Sequence, residues 1–143
     1  MRTVSATSGV EVLDADACRG LLSDDVIGRL GVVIGRRPVV VPVNYVFDGE
    51  SIVLRTMPGS KIDVGQGPAA FEIDGFDRAT KSGWSVLVSG DLAEVTELDP
   101  EWRHVTSLPV EPWAGGERPA WLRLRPAYIT GRVVPVATIG DGS

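Results

Sequence analysis

The sequence is poor in the residues that build metal sites and disulfides, and it lacks the marks of several large protein classes. It has one cysteine, Cys18, and one histidine, His104, so neither an internal disulfide nor a conventional Cys/His metal cluster is expected. No apolar run approaches the roughly 20 residues that a membrane-spanning helix needs. The net charge of −5 and the pI of about 4.8 leave no basic footprint for nucleic acid. We therefore expect no metal, no membrane anchor and no nucleic-acid partner.

The rest of the composition is that of an ordinary globular domain. With 143 residues, 43% of them hydrophobic, the chain is long enough to bury one core. We expect a single domain over 1–143, with flexible tails at 1–10 and 138–143. Met1–Gly9 lacks the apolar core of a signal peptide, so it is expected as a polar arm and the cytoplasm as the location.

Short apolar runs separated by turn residues dominate the chain and predict a mainly β fold. Helix signals occur over Asp14–Leu22 with Asp14 as N-cap, over Ser60–Gln66, and over Asp99–Ser107 with Asp99 as N-cap. Strands are predicted over Ile27–Ile34, Val39–Phe47, Ile52–Thr56, Ala69–Ile73, Ser85–Thr96, Trp121–Leu124 and Ile129–Val136. Because short turns join most of them, we predict an antiparallel β-barrel with a few short helices rather than a parallel βαβ sheet.

Four local signals refine this outline. Gly35-Arg36-Arg37-Pro38 predicts a turn, and Asp48-Gly49 predicts a hairpin between two strands. Pro42, inside a strongly predicted strand, indicates a sheet edge, a bulge or a place where the ladder opens. Gly90 predicts a bulge.

The segment Arg55-Thr56-Met57-Pro58-Gly59-Ser60-Lys61 concentrates polar chemistry at a predicted strand–turn–helix junction. It holds two cations, two hydroxyls and a glycine within seven residues of an acidic chain. Such a cluster suits a bound anion, above all a phosphate. The alternative from the residues alone is a structural junction with solvated charges and Ser60 as a helix N-cap.

A series of motifs in a fixed order resembles a known family. The series is Val41-Pro42-Val43-Asn44-Tyr45, Leu54-Arg55-Thr56-x-x-Gly59-Ser60-Lys61, Phe71-Glu72-Ile73-Asp74, Gly83-Trp84-Ser85-Val86-Leu87-Val88-Ser89-Gly90, Glu111-Pro112-Trp113, Arg125-Pro126 and Ile129-Thr130-Gly131-Arg132. Over about Val12–Val134 it resembles the pyridoxamine 5′-phosphate oxidase-like family of flavin-binding split barrels, in particular its small actinobacterial branch.

The resemblance implies a six-stranded split barrel that forms a homodimer, with FMN in a groove at the interface and a small-molecule substrate beside it. It implies that Arg55, Thr56, Ser60 and Lys61 hold the FMN phosphate. The backbone of Val41, Pro42 and Val43 would follow the isoalloxazine edge, and Trp84 and Ser85 would lie near the ring or the ribityl chain. Arg132 and Trp113 are further candidates from the loop or the partner subunit.

This sequence departs from the classical pyridoxamine 5′-phosphate oxidases at two places, and both departures reduce the number of basic residues expected at the cofactor and substrate-phosphate sites. No Arg or Lys occurs between Val39 and Phe47, and the Gly59-Ser60-Lys61 turn has one cation in place of an adjacent Arg–Lys pair. The sequence therefore argues against pyridoxal phosphate chemistry. It leaves three alternatives: an FMN-dependent oxidoreductase, a deazaflavin-dependent one that uses the Arg36-Arg37 pair, and a non-catalytic ligand-binding module.

Other reactive residue types lack a pattern that predicts catalysis. Cys18 is expected as a small core residue and His104 as part of an exposed helix. Glu72 and Asp74 alternate on a strand and are expected on one solvated face. No nucleophile–base pair is identified, which suits an enzyme whose cofactor carries the chemistry.

Overall fold

The computed structural model describes residues 3–5, 11–111 and 119–135 of the chain. The helices are α1 (Ala15–Asp24), α2 (Lys61–Val64) and α3 (Trp102–Ser107). The strands are β1 (Thr3–Ser5), β2 (Glu11–Leu13), β3 (Ile27–Ile34), β4 (Arg37–Asn44), β5 (Val46–Phe47), β6 (Ile52–Thr56), β7 (Gly67–Asp77), β8 (Ser82–Val95) and β9 (Ala120–Pro135). No helix in this part of the chain has the length and apolarity to cross a membrane.

The strands form one antiparallel sheet that curls into a half-barrel. Its main order is β1-β2-β9-β8-β7-β3-β4, and β6 joins by pairing with β5 and with the first part of β9. β4 is an edge strand, because β3 is its one ladder partner among the described residues. Across the opening, β4 approaches β6 without forming a ladder. The mainly β split-barrel class predicted from the sequence is confirmed, with nine strand segments in place of six.

Two hydrophobic clusters lie on opposite sides of β6. The main core fills the barrel and contains Leu54 and Phe71, both fully buried. The smaller one, which we call the α3 cluster, packs α3 against the outside of the barrel; its buried members are Val53, Val95, Val105 and Val110. Because side chains alternate along a strand, neighbouring residues of β6 contribute to different clusters.

β9 unites two segments that the sequence predicted as separate strands, Trp121–Leu124 and Ile129–Val136, although Val136 itself lies outside the described residues. The register with β8 shifts between Ser89 and Gly90, and the extra residue on β9 is Ala127. A Cβ at Gly90 would lie 1.9 Å from the carbonyl oxygen of Arg125, so this close approach of two backbones requires glycine. The predicted bulge is confirmed, and it allows one strand to continue where two were expected.

The predicted Val39–Phe47 strand is divided in the structure. Its first part, β4, begins at Arg37, because the β3–β4 turn consists of Gly35 and Arg36 alone, with φ values of 53° and 71°. The strand breaks at Tyr45, whose N–H donates to the carbonyl of Val26 at 3.1 Å and whose hydroxyl donates to the carbonyl of Leu22 at 2.6 Å. The edge position predicted from Pro42 is confirmed.

The helices are partly as predicted. Asp14 caps α1 by accepting the N–H of Ala17 at 2.8 Å, as expected. The prediction that Asp99 caps the third helix is wrong. Its carboxylate accepts the N–H of Thr96 at 2.7 Å and closes the preceding turn, and α3 begins at Trp102.

The remaining boundaries differ at turns and ends. α2 is capped by Ser60 but ends at Val64, because Gly65 stops it. Gly67-Pro68, expected to end that helix, begins β7 instead. Within the expected flexible tail at 1–10, Thr3–Ser5 pairs with β2, whereas the tail predicted at 138–143 lies outside the described residues.

Candidate functional site

A groove lies in the opening of the half-barrel, between the edge strand β4 and the connection from β6 to α2. Its volume is about 180 Å³, and its walls are formed by Val41, Pro42, Thr56, Met57, Ser60, Lys61 and Ile62. Five of these seven belong to the nine site residues predicted from the sequence. Met57 and Ile62 were missed, although Met57 stands inside the quoted motif and Ile62 directly follows it.

One end of the groove is polar and is held in shape by local hydrogen bonds. The hydroxyl oxygens of Thr56 and Ser60 lie 2.6 Å apart, so one donates to the other. Ser60 also caps α2 by accepting the N–H of Asp63 at 3.3 Å. Lys61, the first residue of α2, is exposed. Three of the predicted phosphate ligands, two with hydroxyls and one lysine, therefore lie at this end of the groove.

A carboxylate is part of the same turn. Gly59, with a φ of 79°, donates its N–H to Asp63 Oδ2 at 2.7 Å. Asp63 Oδ1 accepts a hydrogen bond from the side chain of Gln66 at 2.9 Å, and Gln66 in turn accepts the N–H of Glu94 at 3.0 Å. These contacts tie the turn to the end of β8. Sequence reasoning passed over Asp63.

The other walls of the groove are apolar. Val41 points inwards and packs partly against the main core, whereas Pro42 is exposed on the outer side of β4. Ile62 closes the floor from α2 and is 7% exposed. Since β4 is an edge strand, part of its backbone N–H and C=O groups has no ladder partner in the described sheet. An apolar slot with open backbone groups on one wall suits a flat ring with polar edges.

Arg55, a predicted phosphate ligand, lies on the opposite face of β6 from Thr56. Its guanidinium stacks over the ring of Trp121 with 4.6 Å to the centroid, and it donates to the carbonyl of Val110 at 3.4 Å. The Nε atom of Arg55 makes no hydrogen bond with any described residue. Because consecutive residues of a strand point to opposite faces, the structure does not bring Arg55 and Lys61 together.

Three further candidates lie away from the groove of the same chain. Val43 is buried in the main core at 2% exposure. Trp84 packs over Gly75, where a Cβ would come within 2.7 Å of the indole ring. Ser85 lies on the outer face of the sheet, in register with Asp74 on β7 and with Arg132 on β9. Trp113 lies outside the described residues.

The outer face of β4, β3, β7 and β8 combines apolar side chains with an ion-pair cluster. Arg29 binds Glu72 at 2.6 Å and Asp74 at 3.3 Å, so the two acids share one face, as predicted. Burial raises the pKa of the Glu72 carboxyl, and the neighbouring Asp74 adds to this against the hydrogen bond from Arg29. Around the cluster, large apolar side chains are exposed: Ile27, Val33, Val40, Leu87 and Tyr128.

The remaining reactive side chains are engaged elsewhere. Cys18 is buried beneath Gly131, as expected of a core residue. His104 is exposed on α3 and its Nε2 lies 2.8 Å from Asp48 Oδ2. Among the described residues, no group of three His, Cys, Asp or Glu side chains is arranged to hold a metal ion.

A second depression lies beside α1, at the β9 bulge. Its volume is about 300 Å³, and it is lined by Ala15, Arg19, Glu50, Pro126, Ala127, Tyr128 and Ile129. The guanidinium of Arg19 already donates to the carbonyl of Gly49. None of the predicted site residues lines it, so the groove between β4 and α2 is the better candidate.

Comparisons with known proteins agree with this assignment of the fold. The family model described as pyridoxamine 5′-phosphate oxidase matches residues 14–133. An uncharacterized protein of Mycobacterium tuberculosis is 29% identical over 139 residues, which cover 91% of this chain and 90% of that protein.

Solved structures are similar over nearly the whole chain. The FAD binding protein from Mycobacterium smegmatis superimposes with a TM-score of 0.74 at 25% identity, over 87% of this chain and 97% of its own. A putative pyridoxamine 5′-phosphate oxidase from Corynebacterium glutamicum does so with a TM-score of 0.74 at 26% identity, over 90% and 96%.

Proposed function

We propose that this chain, which belongs to the pyridoxamine 5′-phosphate oxidase family, binds a flavin nucleotide in the groove between β4 and α2 and acts as a flavin-dependent oxidoreductase. The observation that carries the proposal is the union, in one groove, of an apolar slot with two hydroxyls and a lysine. Among flavins, FMN is the smallest that has both a flat ring and a phosphate. The similarity to an FAD binding protein of Mycobacterium smegmatis supports a flavin as the ligand.

The groove residues fit the two parts of a flavin nucleotide. Lys61, Ser60 and Thr56 would donate to the phosphate, and charge-assisted hydrogen bonds of this kind contribute about 1.5–3 kcal/mol each. Val41, Pro42 and Met57 would cover the ring, while the open backbone of β4 would meet its polar edge. Arg55 stacks on Trp121 on the far side of β6 and is not part of the proposed phosphate site.

The proposed chemistry belongs to the cofactor. When bound, a flavin supplies reversible two-electron transfer, and the protein contributes a dry slot, orientation and hydrogen bonds. The groove walls contain no carboxylate, histidine or cysteine side chain among the described residues. We therefore propose hydride transfer to a small organic acceptor, such as a quinone, a nitro compound or another flavin.

We also propose a homodimer in which the outer sheet face forms the interface. Ligand sites for molecules of this size span about 300–1,000 Å³, whereas the groove of one chain measures about 180 Å³. Pro42 belongs both to the groove and to the apolar outer face, so a second copy packed on that face would complete the slot. Ser85 and Arg132, which lie on the same face, would then reach the partner's groove.

The deazaflavin alternative is less well supported by the geometry. Arg36 and Arg37 lie at the tip of the β3–β4 hairpin, and Arg37 is about 13 Å along the strand from Val41. They would meet only the far end of a long acidic tail. A cytoplasmic location, the absence of nucleic-acid partners and the non-catalytic alternative remain predictions from the sequence.

Titration of the purified protein with FMN, FAD and a deazaflavin, followed by absorbance and fluorescence, tests the cofactor. Saturable binding of at least one flavin at micromolar concentration is expected. If none binds, the oxidoreductase proposal fails and a barrel with another ligand remains. If one binds, oxidation of reduced nicotinamide with quinone and nitro acceptors tests turnover.

A matched pair of variants tests the interface. Val40, 67% exposed on the outer face, and Leu98, 94% exposed in the turn before α3, are each replaced by Glu. Val40→Glu is expected to yield monomers in sedimentation and to lose flavin affinity, whereas Leu98→Glu keeps both properties. A dimeric, flavin-binding Val40→Glu protein would exclude this face as the interface.

A further inference from the structure

The depression beside α1 lies where strand β9 has no ladder partner on one of its two edges. β6 pairs with β9 as far as Leu124, and β2 pairs with it again at Arg132, so among the described residues this edge is open between the two positions. α1 packs against β9 beside the gap and leaves a space of about 300 Å³. Small-molecule sites occupy about 300–1,000 Å³, so the depression has the size of a ligand site.

The β9 bulge adds backbone groups that no ladder uses. Ala127 is the extra residue, since Ser89 of β8 pairs with Tyr128 and Gly90 pairs with the residue before Ala127. On the other edge of β9, the described part of the chain offers Ala127 no strand either. A ligand in the depression would therefore meet main-chain N–H and C=O groups that can both donate and accept hydrogen bonds.

Two opposite charges line the depression without forming an ion pair with each other. Arg19 lies one turn after Ala15 on the same face of α1, and its guanidinium donates to the carbonyl of Gly49. Glu50 is the next residue of that hairpin turn, and among the described residues its exposed carboxylate has no ion-pair partner. Because a guanidinium has five N–H groups, Arg19 keeps donors for a ligand.

The remaining walls of the depression carry no further charge. The two acids at the start of α1 do not line it: Asp14 is engaged as the N-cap, and Asp16 is exposed in the first turn. Apolar surface comes from Pro126 and Ile129, which are partly buried, and from the ring of Tyr128. The site thus combines one guanidinium, one carboxylate and an apolar wall, with no net side-chain charge.

We propose that this depression binds a zwitterionic α-amino acid with an apolar side chain. Such a molecule has its carboxylate and its ammonium on one carbon, which matches a guanidinium and a carboxylate held at neighbouring residues of one turn. Arg19 would bind the carboxylate, Glu50 the ammonium, and Pro126 and Ile129 would cover the side chain. A plain anion would face the charge of Glu50 and a plain cation that of Arg19, so the pair favours a zwitterion over either.

The test titrates the isotope-labelled full-length protein with leucine and follows the backbone amide signals by NMR. Saturable shifts are expected at Glu50, Ala127 and Tyr128, with a dissociation constant of about 1 mM, an affinity within the ordinary range for so small a ligand. The amides of Ser60 and Lys61 in the other groove should not move. Isocaproate, which is leucine without its ammonium, and isoamylamine, which lacks the carboxylate, should each bind at least about tenfold more weakly.

Two variants assign the charges. Glu50→Gln keeps the size of the side chain and should weaken leucine binding about tenfold or more, while it strengthens isocaproate binding because the repulsion between carboxylates is gone. Arg19→Gln should weaken leucine likewise and strengthen isoamylamine. Glu97→Gln and Arg103→Gln, at exposed positions elsewhere, are the matched controls and should leave all affinities unchanged. A merely structural role would change leucine and its analogues in the same direction.

The outcomes decide the proposal whether or not a flavin binds, because no readout involves the groove between β4 and α2. Saturable leucine binding with opposite effects of Glu50→Gln on leucine and isocaproate supports a zwitterion site. The proposal is overturned if the three amides show no saturable shift up to about 50 mM leucine. It is also overturned if isocaproate binds as tightly as leucine, since the ammonium would then have no partner.

Discussion

The two faces of β6 show how differently neighbouring residues of one strand can be used. On the inner face, Thr56 leads into the turn that forms the polar end of the groove, where its hydroxyl pairs with that of Ser60 and Lys61 is exposed. On the outer face, Arg55 is stacked on Trp121 beside the α3 cluster. Both cations belong to one sequence motif, yet one is exposed at a cavity and the other is part of a packed side-chain stack.

Under the proposed function the inner face would position the ligand, whereas the outer face packs α3 against the barrel. The ammonium of Lys61 is exposed at the groove, whereas the guanidinium of Arg55 is already engaged by Trp121 and Val110. The following predictions separate stability from binding on the two faces.

The largest expected effect is on the free energy of unfolding, for a substitution on the face of β6 that packs in the main core. Leu54 and Val53 are both fully buried, but Leu54 faces the main core and Val53 the α3 cluster. Leu54→Ala should lower the free energy of unfolding by about 3–4 kcal/mol, and Val53→Ala by about 2 kcal/mol. Urea denaturation at fixed protein concentration measures both. An equal or larger loss for Val53→Ala would mean that the α3 cluster is as central to the fold as the barrel.

Sequence reasoning predicted the fold class because strand patterns and turn residues are local signals. The β3–β4 turn was identified from a four-residue segment, and the Pro42 edge and the Gly90 bulge from single residues. What it missed depends on contacts between distant segments. β9 continues through Pro126 because a bulge absorbs Ala127, and Asp99 closes a turn instead of capping a helix.

Site residues that are neighbours in one short turn could be predicted from the sequence. Residues whose position depends on the alternation of side chains along a strand could not. Thr56, Ser60 and Lys61 come together because one short turn joins them. Arg55 was grouped with them by proximity in sequence, and alternation along β6 sends it to the other face. Trp84 and Ser85 lie on β8, outside the groove of their own chain. Trp84 packs over Gly75 on the inner face, and the proposed contact of Ser85 depends on the partner subunit.

The second prediction concerns the exposed cation of the inner face. Lys61→Ala should weaken FMN binding about 10–100-fold, since it removes one charge-assisted hydrogen bond. Lys81→Ala, at the exposed β7–β8 turn, removes the same side chain elsewhere and should leave the affinity unchanged. Fluorescence titration measures both. Equal affinities for the two variants would remove Lys61 from the phosphate site.

The third prediction concerns Arg55, the cation on the outer face of β6. Arg55→Ala should cost about 1–2 kcal/mol of stability, because it removes a cation–π contact and side-chain packing on Trp121. Arg55→Lys keeps the charge but loses the planar stack, so it should recover little of that stability. Flavin affinity should change less than about twofold in both variants. If Arg55→Ala weakens FMN binding and Arg55→Lys restores it, Arg55 acts on the phosphate after all.

The smallest expected effect lies at the contact between α3 and the β5–β6 hairpin. Burial alone would raise the pKa of the Asp48 carboxyl, but the hydrogen bond with His104 and those from the amides of Ser51 and Glu50 outweigh it, so the pKa is lowered. Folding therefore favours the ionised carboxylate. Its stabilising contribution is fully present above the ordinary Asp pKa of about 4 and is lost as the pH falls through the lower folded-state value.

Asp48→Asn removes this titration and keeps an oxygen for the two amides, so at neutral pH it should cost no more than about 1 kcal/mol. Between about pH 5 and about pH 3, wild-type protein should lose more stability than Asp48→Asn, and Asp16→Asn should follow the wild type. Urea unfolding across that range measures the difference. Parallel curves for wild type and Asp48→Asn would mean that the His104–Asp48 pair does not stabilise α3 on the hairpin, and that the outer face of β6 depends on apolar packing and the Arg55–Trp121 stack alone.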